Sequence, residues 1–235
     1  MEILERGLKE FGLSLNDEQK KAFQKYYDLL IEWNSFMNLT AITEPDEVCV
    51  KHFLDSVSLC KAMDCNGEIE LIDIGTGAGF PSIPLKIMFP KLKITMLDSL
   101  GKRVRFLDEV IGSLNLKGIT AVHSRAEDLA VKSEYRERFD ICVSRAVANL
   151  STLSEYCLPY VKIGGFFVSY KSEKVAEEVK SAQNAVKILG GEISRQVEFT
   201  LPCSDIYRNL FMIKKVKPTP KKYPRRAGVP SKEPL

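Results

Sequence analysis

The segment Asp73-Ile74-Gly75-Thr76-Gly77-Ala78-Gly79-Phe80-Pro81 carries the densest chemical information in this 235-residue chain. Three glycines at alternate positions, directly after a short apolar run, permit a tight turn and let a ligand approach backbone without meeting a Cβ. At the carboxyl edge of an open parallel sheet, such a turn binds nucleotide-like ligands. The dinucleotide fingerprint Gly-x-Gly-x-x-Gly would place its third glycine at position 80, where this chain has Phe80, so the spacing is instead Asp-x-Gly-x-Gly-x-Gly. Asp98 lies 23 positions after Gly75, closing a second apolar run. A carboxylate there can accept hydrogen bonds from both ribose hydroxyls. Loop and acid together predict a site for an adenosyl ligand; a generic turn is the bland alternative.

The elements that must position these residues follow from hydrophobic period. Residues 17 to 37 place Phe23, Tyr26, Tyr27, Leu30, Trp33, Phe36 and Met37 along one helical stripe, with Asn16 and Gln19 as a capping box. Thr43 ahead of Glu44-Pro45 predicts a second helical stretch to about Lys61. From Glu68 the period changes. Strands are predicted at Ile69 to Ile74, Lys93 to Leu97, Ile119 to His123, Phe139 to Val143, Gly165 to Tyr170, Glu192 to Phe199 and Leu210 to Lys215, with helical patterns between most of them. Strand and helix in alternation imply an α/β fold with a seven-stranded, mostly parallel sheet. Only a loop joins the last two strands, so one of them should run antiparallel. The expected organisation is a helical cap (1–65), a sheet core (66–216) and a C-terminal tail (217–235), all in one compact unit.

Several motifs match one family. Trp33-Asn34 with Asn38-Leu39-Thr40, His52-Phe53-Leu54-Asp55-Ser56, Asp73 to Pro81, Leu97 to Arg103, Arg125-Ala126-Glu127 and Ser144-Arg145-Ala146 resemble the bacterial 16S ribosomal RNA guanine-N7 methyltransferases, also called glucose-inhibited division protein B. The similarity spans about residues 14 to 171 and reaches the tail at Lys222-Tyr223-Pro224-Arg225-Arg226 through Pro230. It implies a class I, Rossmann-like fold and S-adenosyl-L-methionine as cofactor. It also implies cofactor contacts at Gly75, Phe80, Ala126, Glu127 and Arg145, with Gly77, Gly79 and Asp98 completing the loop and ribose positions. Phe80 and Pro81 would wall the methionine end, Ala126-Glu127 would frame the adenine edge, and Arg145, the expected catalytic residue, would stand where the methyl emerges. Guanine N7 exposes a lone pair and carries no proton, so no general base is required. That suits a chain with only His52 and His123. Ser144-Arg145-Ala146-Val147 replaces the Asn/Asp-Pro-Pro-aromatic motif of exocyclic-amine methylation, and Cys203 lies too late in the chain to read as a cytosine nucleophile.

Composition sets the remaining bounds. Every apolar run is interrupted well short of the about 18 residues a membrane helix needs, and the start Met1 to Arg6 has no apolar signal core, so a cytoplasmic protein is expected. Six cysteines without a Cys-x-x-Cys pair predict reduced apolar fillers and no metal site. Residues 214–235 hold eight Lys or Arg against one acid, whereas the preceding residues hold 26 against 30. Five prolines in that basic tail argue against a regular helix, and predict an extended or mobile arm. Lys102, Arg103, Arg105, Lys171, Arg208, Tyr223, Arg225 and Arg226 are the candidate contacts to 16S RNA, free or within a 30S particle. A monomer is expected. The competing readings are a nicotinamide-dependent oxidoreductase, disfavoured by Phe80, and a non-catalytic RNA-binding protein on the same fold.

Overall fold

The computed structural model describes residues 1–145, 148–172 and 176–235. Ala146 and Val147 of the motif after the fourth strand lie outside the described residues.

Seven strands form one sheet: β1 (Glu70–Ile74), β2 (Lys93–Asp98), β3 (Ile119–His123), β4 (Phe139–Arg145), β5 (Val161–Lys171), β6 (Gly191–Thr200) and β7 (Tyr207–Lys215). Their order is β3-β2-β1-β4-β5-β7-β6, parallel from β3 to β5. β7 runs antiparallel to both β5 and β6, the reversal that the short loop between the last two predicted strands demands. Strand identities follow the expectation, but β5 and β7 start earlier than their apolar runs. Val161 pairs with Phe139 ahead of an irregularity in the register, and Tyr207 to Asn209 pair with β6, ladder contacts that periodicity does not register.

Leu71 faces one apolar layer and Ile72 and Ile74 the other, as a strand covered on both sides requires. The first layer is sealed by α1 (Glu2–Glu10), α2 (Asp17–Met37), α5 (Ser82–Met88) and α6 (Gly101–Ser113). The second is sealed by α8 (Leu150–Cys157) and α9 (Ala176–Ile188). α2 begins with both arms of its Asn16–Gln19 capping box in place, worth about 1 kcal/mol.

Helical turns run from Pro45 to Lys61, as predicted, but they are irregular. α3 (Pro45–Val48) passes into a π-helical stretch at Cys49–Leu54, then α4 (Asp55–Val57) and a 3-10 turn at Ser58–Lys61. Glu44 rather than Thr43 occupies the N-cap, and no side chain caps it. Widened π turns recur at functional sites, and this one carries His52.

The sheet order reverses between β1 and β4. Asp73 pairs with Val143, so Gly75 and Arg145, each two residues further on, leave the sheet side by side. Such a switch point is where open α/β sheets leave a crevice.

Candidate active site

The glycine loop is held by its neighbours rather than by its own side chains. Gly75, Gly77 and Gly79 all have φ in the left-handed region, at 74°, 61° and 95°. The Gly75 and Thr76 N–H groups donate to Leu97 O (2.9 and 3.2 Å), and Gly77 N–H donates to Asp98 Oδ2 at 3.0 Å. Asp98 is 3% exposed and also accepts from Leu100 N–H (2.9 Å) and Arg103 Nη1 (3.4 Å). Asp73 Oδ2 accepts from Ser82 Oγ at 2.8 Å, fastening the start of the loop to α5. Burial pushes the Asp73 carboxyl up to about 7, a rise that hydrogen bonding from Ser82 does not offset.

Beside this loop lies a slot of about 180 Å³ whose walls include Gly75, Leu97, Asp98, Ala126 and Glu127. Ala126 and Glu127 open the short helix α7 (Ala126–Leu129), and both line the slot, with Glu127 buried. Two buried carboxylates in the lining of one slot suit a flat base joined to a sugar, whose hydroxyl and amino donors need acceptors when desolvated. Asp73 and Thr76 are buried behind the loop and line neither concavity. The residues present therefore fit an adenosyl group.

A second concavity is a cleft of about 680 Å³ bordered by Lys51, His52, Asp55, Arg145, Lys171 and Arg208. One carboxylate organises it. Asp55, with a side chain only 5% exposed, accepts from Arg145 Nη1 (2.9 Å) through Oδ2 and from Arg208 Nε (2.8 Å) through Oδ1. Arg145 also donates to Lys51 O (3.2 Å) and to His52 Nδ1 (3.2 Å), and its guanidinium lies over the Phe80 ring, 5.1 Å from the centroid. His52 stacks on Phe80 with centroids 4.4 Å apart. Two cations sharing one anion leave the cleft attractive to phosphate or to the acceptor edge of a base.

The comparisons with known proteins decide the family. The profile described as rRNA small subunit methyltransferase G matches residues 19–207. The chain belongs to that family. It is 57% identical over 98% of its length to the ribosomal RNA small subunit methyltransferase G of Lachnoclostridium phytofermentans, covering 95% of that protein. The corresponding protein of Acetivibrio thermocellus is 53% identical, with 99% of this chain and 96% of that one aligned. Among solved structures, a SAM-dependent methyltransferase from Aquifex aeolicus superposes with a TM-score of 0.55 at 18% identity, over 75% of this chain and 97% of the other. P. horikoshii TYW2 in complex with MeSAdo superposes at 0.54 and 15%, over 69% and 62%. These likenesses establish the class I methyltransferase fold, and membership establishes an rRNA methyltransferase.

Within this family member the expected site residues fall into three groups. Gly75, Asp98, Ala126 and Glu127 line the slot, while Arg145, Lys171 and Arg208 border the cleft. Phe80 lines neither concavity; it is buried behind the cleft, against His52 and Arg145. Gly79 faces the core rather than a ligand: a Cβ there would lie 2.6 Å from Ile83 Cγ1. Lys102 reaches the Met37 carbonyl, Arg103 backs Asp98, and Arg105 and Arg226 are exposed. Tyr223 and Arg225, expected on RNA, are engaged within the protein. Tyr223 is buried, and Arg225 forms a bidentate pair with the buried Glu155. The tail is thus docked on the body of the protein rather than fully extended. It packs on α8 and ends in a short helix, α10 (Val229–Lys232), whose N1 region accommodates Pro230.

Asp55 was absent from the expected site residues although it sits in a quoted motif, because nothing in the sequence announces that one acid serves two distant arginines. The Asn34 and Thr40 motif residues also gain a physical role. Asn34 Oδ1 accepts from Thr40 N–H (2.9 Å), and Thr40 Oγ1 lies 2.8 Å from His52 Nε2. Because an Arg145 N–H must donate to Nδ1, His52 Nε2 carries the proton and donates to Thr40. Burial, reinforced by the Arg145 charge, depresses the His52 pKa from 6.5 to about 3. The folded value lies below the unfolded one, so this group's contribution to stability is intact above pH 6.5 and declines as pH falls toward 3. Nitrogen-15 NMR at pH 5.5 should therefore show a neutral Nε2–H tautomer for His52. A protonated imidazolium at that pH would contradict the network. Among the described residues, no three His, Cys, Asp or Glu side chains group as a metal site, and no helix is long and apolar enough to cross a membrane.

Proposed function

We propose that this methyltransferase transfers the methyl group of S-adenosyl-L-methionine to N7 of one guanine in 16S ribosomal RNA, presented by the small subunit or an assembly intermediate. The observation that carries the reading is a loop whose first glycine lines the slot and whose Phe80 packs against His52 and Arg145 of the cleft. The slot lined by the Asp98 and Glu127 carboxylates takes the adenosyl group, and the cleft bordered by Arg145 and Arg208 takes RNA. When bound, the cofactor supplies an electrophilic methyl on sulfur, displaced in line by the incoming nitrogen. Gly75 admits the ligand to the backbone, Asp98 holds the ribose, and Glu127 accepts from the adenine edge. Arg145, fixed in orientation by Asp55, Lys51 O and His52, aims its guanidinium into the cleft and positions the guanine. His52, neutral and bonded through both nitrogens, acts as no base, and N7 methylation requires none because the atom carries no proton. Alignment and exclusion of water supply the rate enhancement, for which about 7–11 kcal/mol is attainable in well-oriented systems.

Incubating the protein with labelled cofactor and undermethylated 30S particles, followed by nuclease digestion and mass spectrometry, tests this reading. The expected product is 7-methylguanosine at one position in 16S RNA. Label on an exocyclic amine or on cytosine, or no label at all, would overturn it.

A further inference from the structure

We infer that the C-terminal segment, residues 225–235, is the outer wall of the cofactor slot, so that the adenosyl group binds beneath it. The inference rests on reading the slot as the adenosyl site and adds a part that lies about a hundred residues from the rest of that site in sequence.

Gly228 and Ser231 line the slot together with Tyr156 of α8. The Gly228 N–H donates to Glu127 Oε1 at 2.8 Å, so one oxygen of this slot-lining carboxylate is committed to the tail and Oε2 remains as the acceptor for a ligand donor. Gly228 has φ 84°, which turns its amide toward Glu127 at the start of α10. The contact is held from both sides. Upstream, Arg225 meets the Glu155 carboxylate through its backbone N–H (2.8 Å), Nε (2.9 Å) and Nη2 (2.6 Å), and Glu155 is 1% exposed. Downstream, Thr152 Oγ1 donates to Pro230 O (3.0 Å) and Ser151 Oγ to Leu235 O (2.8 Å). A buried acid on α8 whose countercharge comes only from the tail, among the described residues, marks a docked segment rather than a loose arm. Without that wall the slot loses one face, and Glu127 is rehydrated. The ligand would then exchange contacts with a fixed amide and side chains for contacts with water, which weakens binding.

The test is calorimetric titration of S-adenosylhomocysteine into the full chain and into a chain ending at Pro224. The shortened chain also carries Glu155→Gln, so that no unpaired buried charge is left behind. A tenfold or greater loss of affinity in the shortened chain, with a cooperative melt retained, supports the wall. Equal affinities within twofold overturn it. If the full chain itself fails to bind, the adenosyl reading of the slot fails first and the wall with it. A second measurement uses the intact protein alone and holds even where the shortened chain does not fold. Trypsin cleavage at Lys221, Lys222 and Arg226, all exposed, should slow at least threefold when S-adenosylhomocysteine saturates the slot. Unchanged cleavage overturns the inference.

Discussion

Arg145→Ala is expected to lower the turnover number for methyl transfer to 30S RNA by about a hundredfold, with the fold retained. The magnitude is that of losing a positioning contact beside the reacting atoms. Asp55 keeps Arg208 at 2.8 Å, but Lys51 O and His52 Nδ1 lose their donor, so a stability loss of about 1–3 kcal/mol should accompany the rate effect. Arg145→Lys should restore almost none of the rate. The guanidinium satisfies Asp55 Oδ2, Lys51 O and His52 Nδ1 from one rigid plane while lying over Phe80, and an ammonium cannot reproduce that fork. Turnover within threefold of wild type in either variant would remove Arg145 from the reaction. Single-turnover transfer measured beside a thermal melt separates the two effects.

Gly79→Ala should destabilise the protein by about 3 kcal/mol, combining the left-handed backbone cost with core overpacking. The added Cβ would lie 2.6 Å from Ile83 Cγ1, 3.0 Å from Tyr26 Oη and 3.1 Å from Leu107 Cδ2, with φ at 95°. Tyr26 cannot yield readily, since it is fully buried and its hydroxyl donates to Ala78 O. For a chain of this size the midpoint of thermal unfolding should fall by about 6–12 °C. Gly77→Ala is the contrasting case. Its Cβ would find only Gly75 O, at 4.0 Å, so it carries the backbone cost of about 1–2 kcal/mol alone. Equal losses in the two variants would show that the crowding behind Gly79 is not what its glycine serves.

Much of the site was written locally, and for that reason could be read. The alternate glycines and the acid at the end of β2 each sit beside a strand whose period is visible over a few residues, while the Ala126-Glu127 pair is marked only by the family resemblance. A parallel sheet with short connections brings every strand's carboxyl end to one edge. The capping box of α2 is equally local, needing only Asn16 and Gln19.

What the tertiary structure alone decided are contacts between segments far apart in the chain, whose partners have no periodic relation. Asp55 joins Arg145 and Arg208 across separations of 90 and 153 residues. Glu155 takes Arg225, 70 residues on, and Glu127 takes the Gly228 amide, 101 residues on. Charge counting marked the tail as a basic arm for a polyanion, because composition records how many charges a segment holds and not which are neutralised inside the fold. The sequence by itself determined the sheet, the glycine loop and the adenosyl chemistry, since those depend on backbone conformation and short-range pattern. Only packing decided that a single buried acid would aim both cleft arginines and that the last turn of the chain would stand against the cofactor slot.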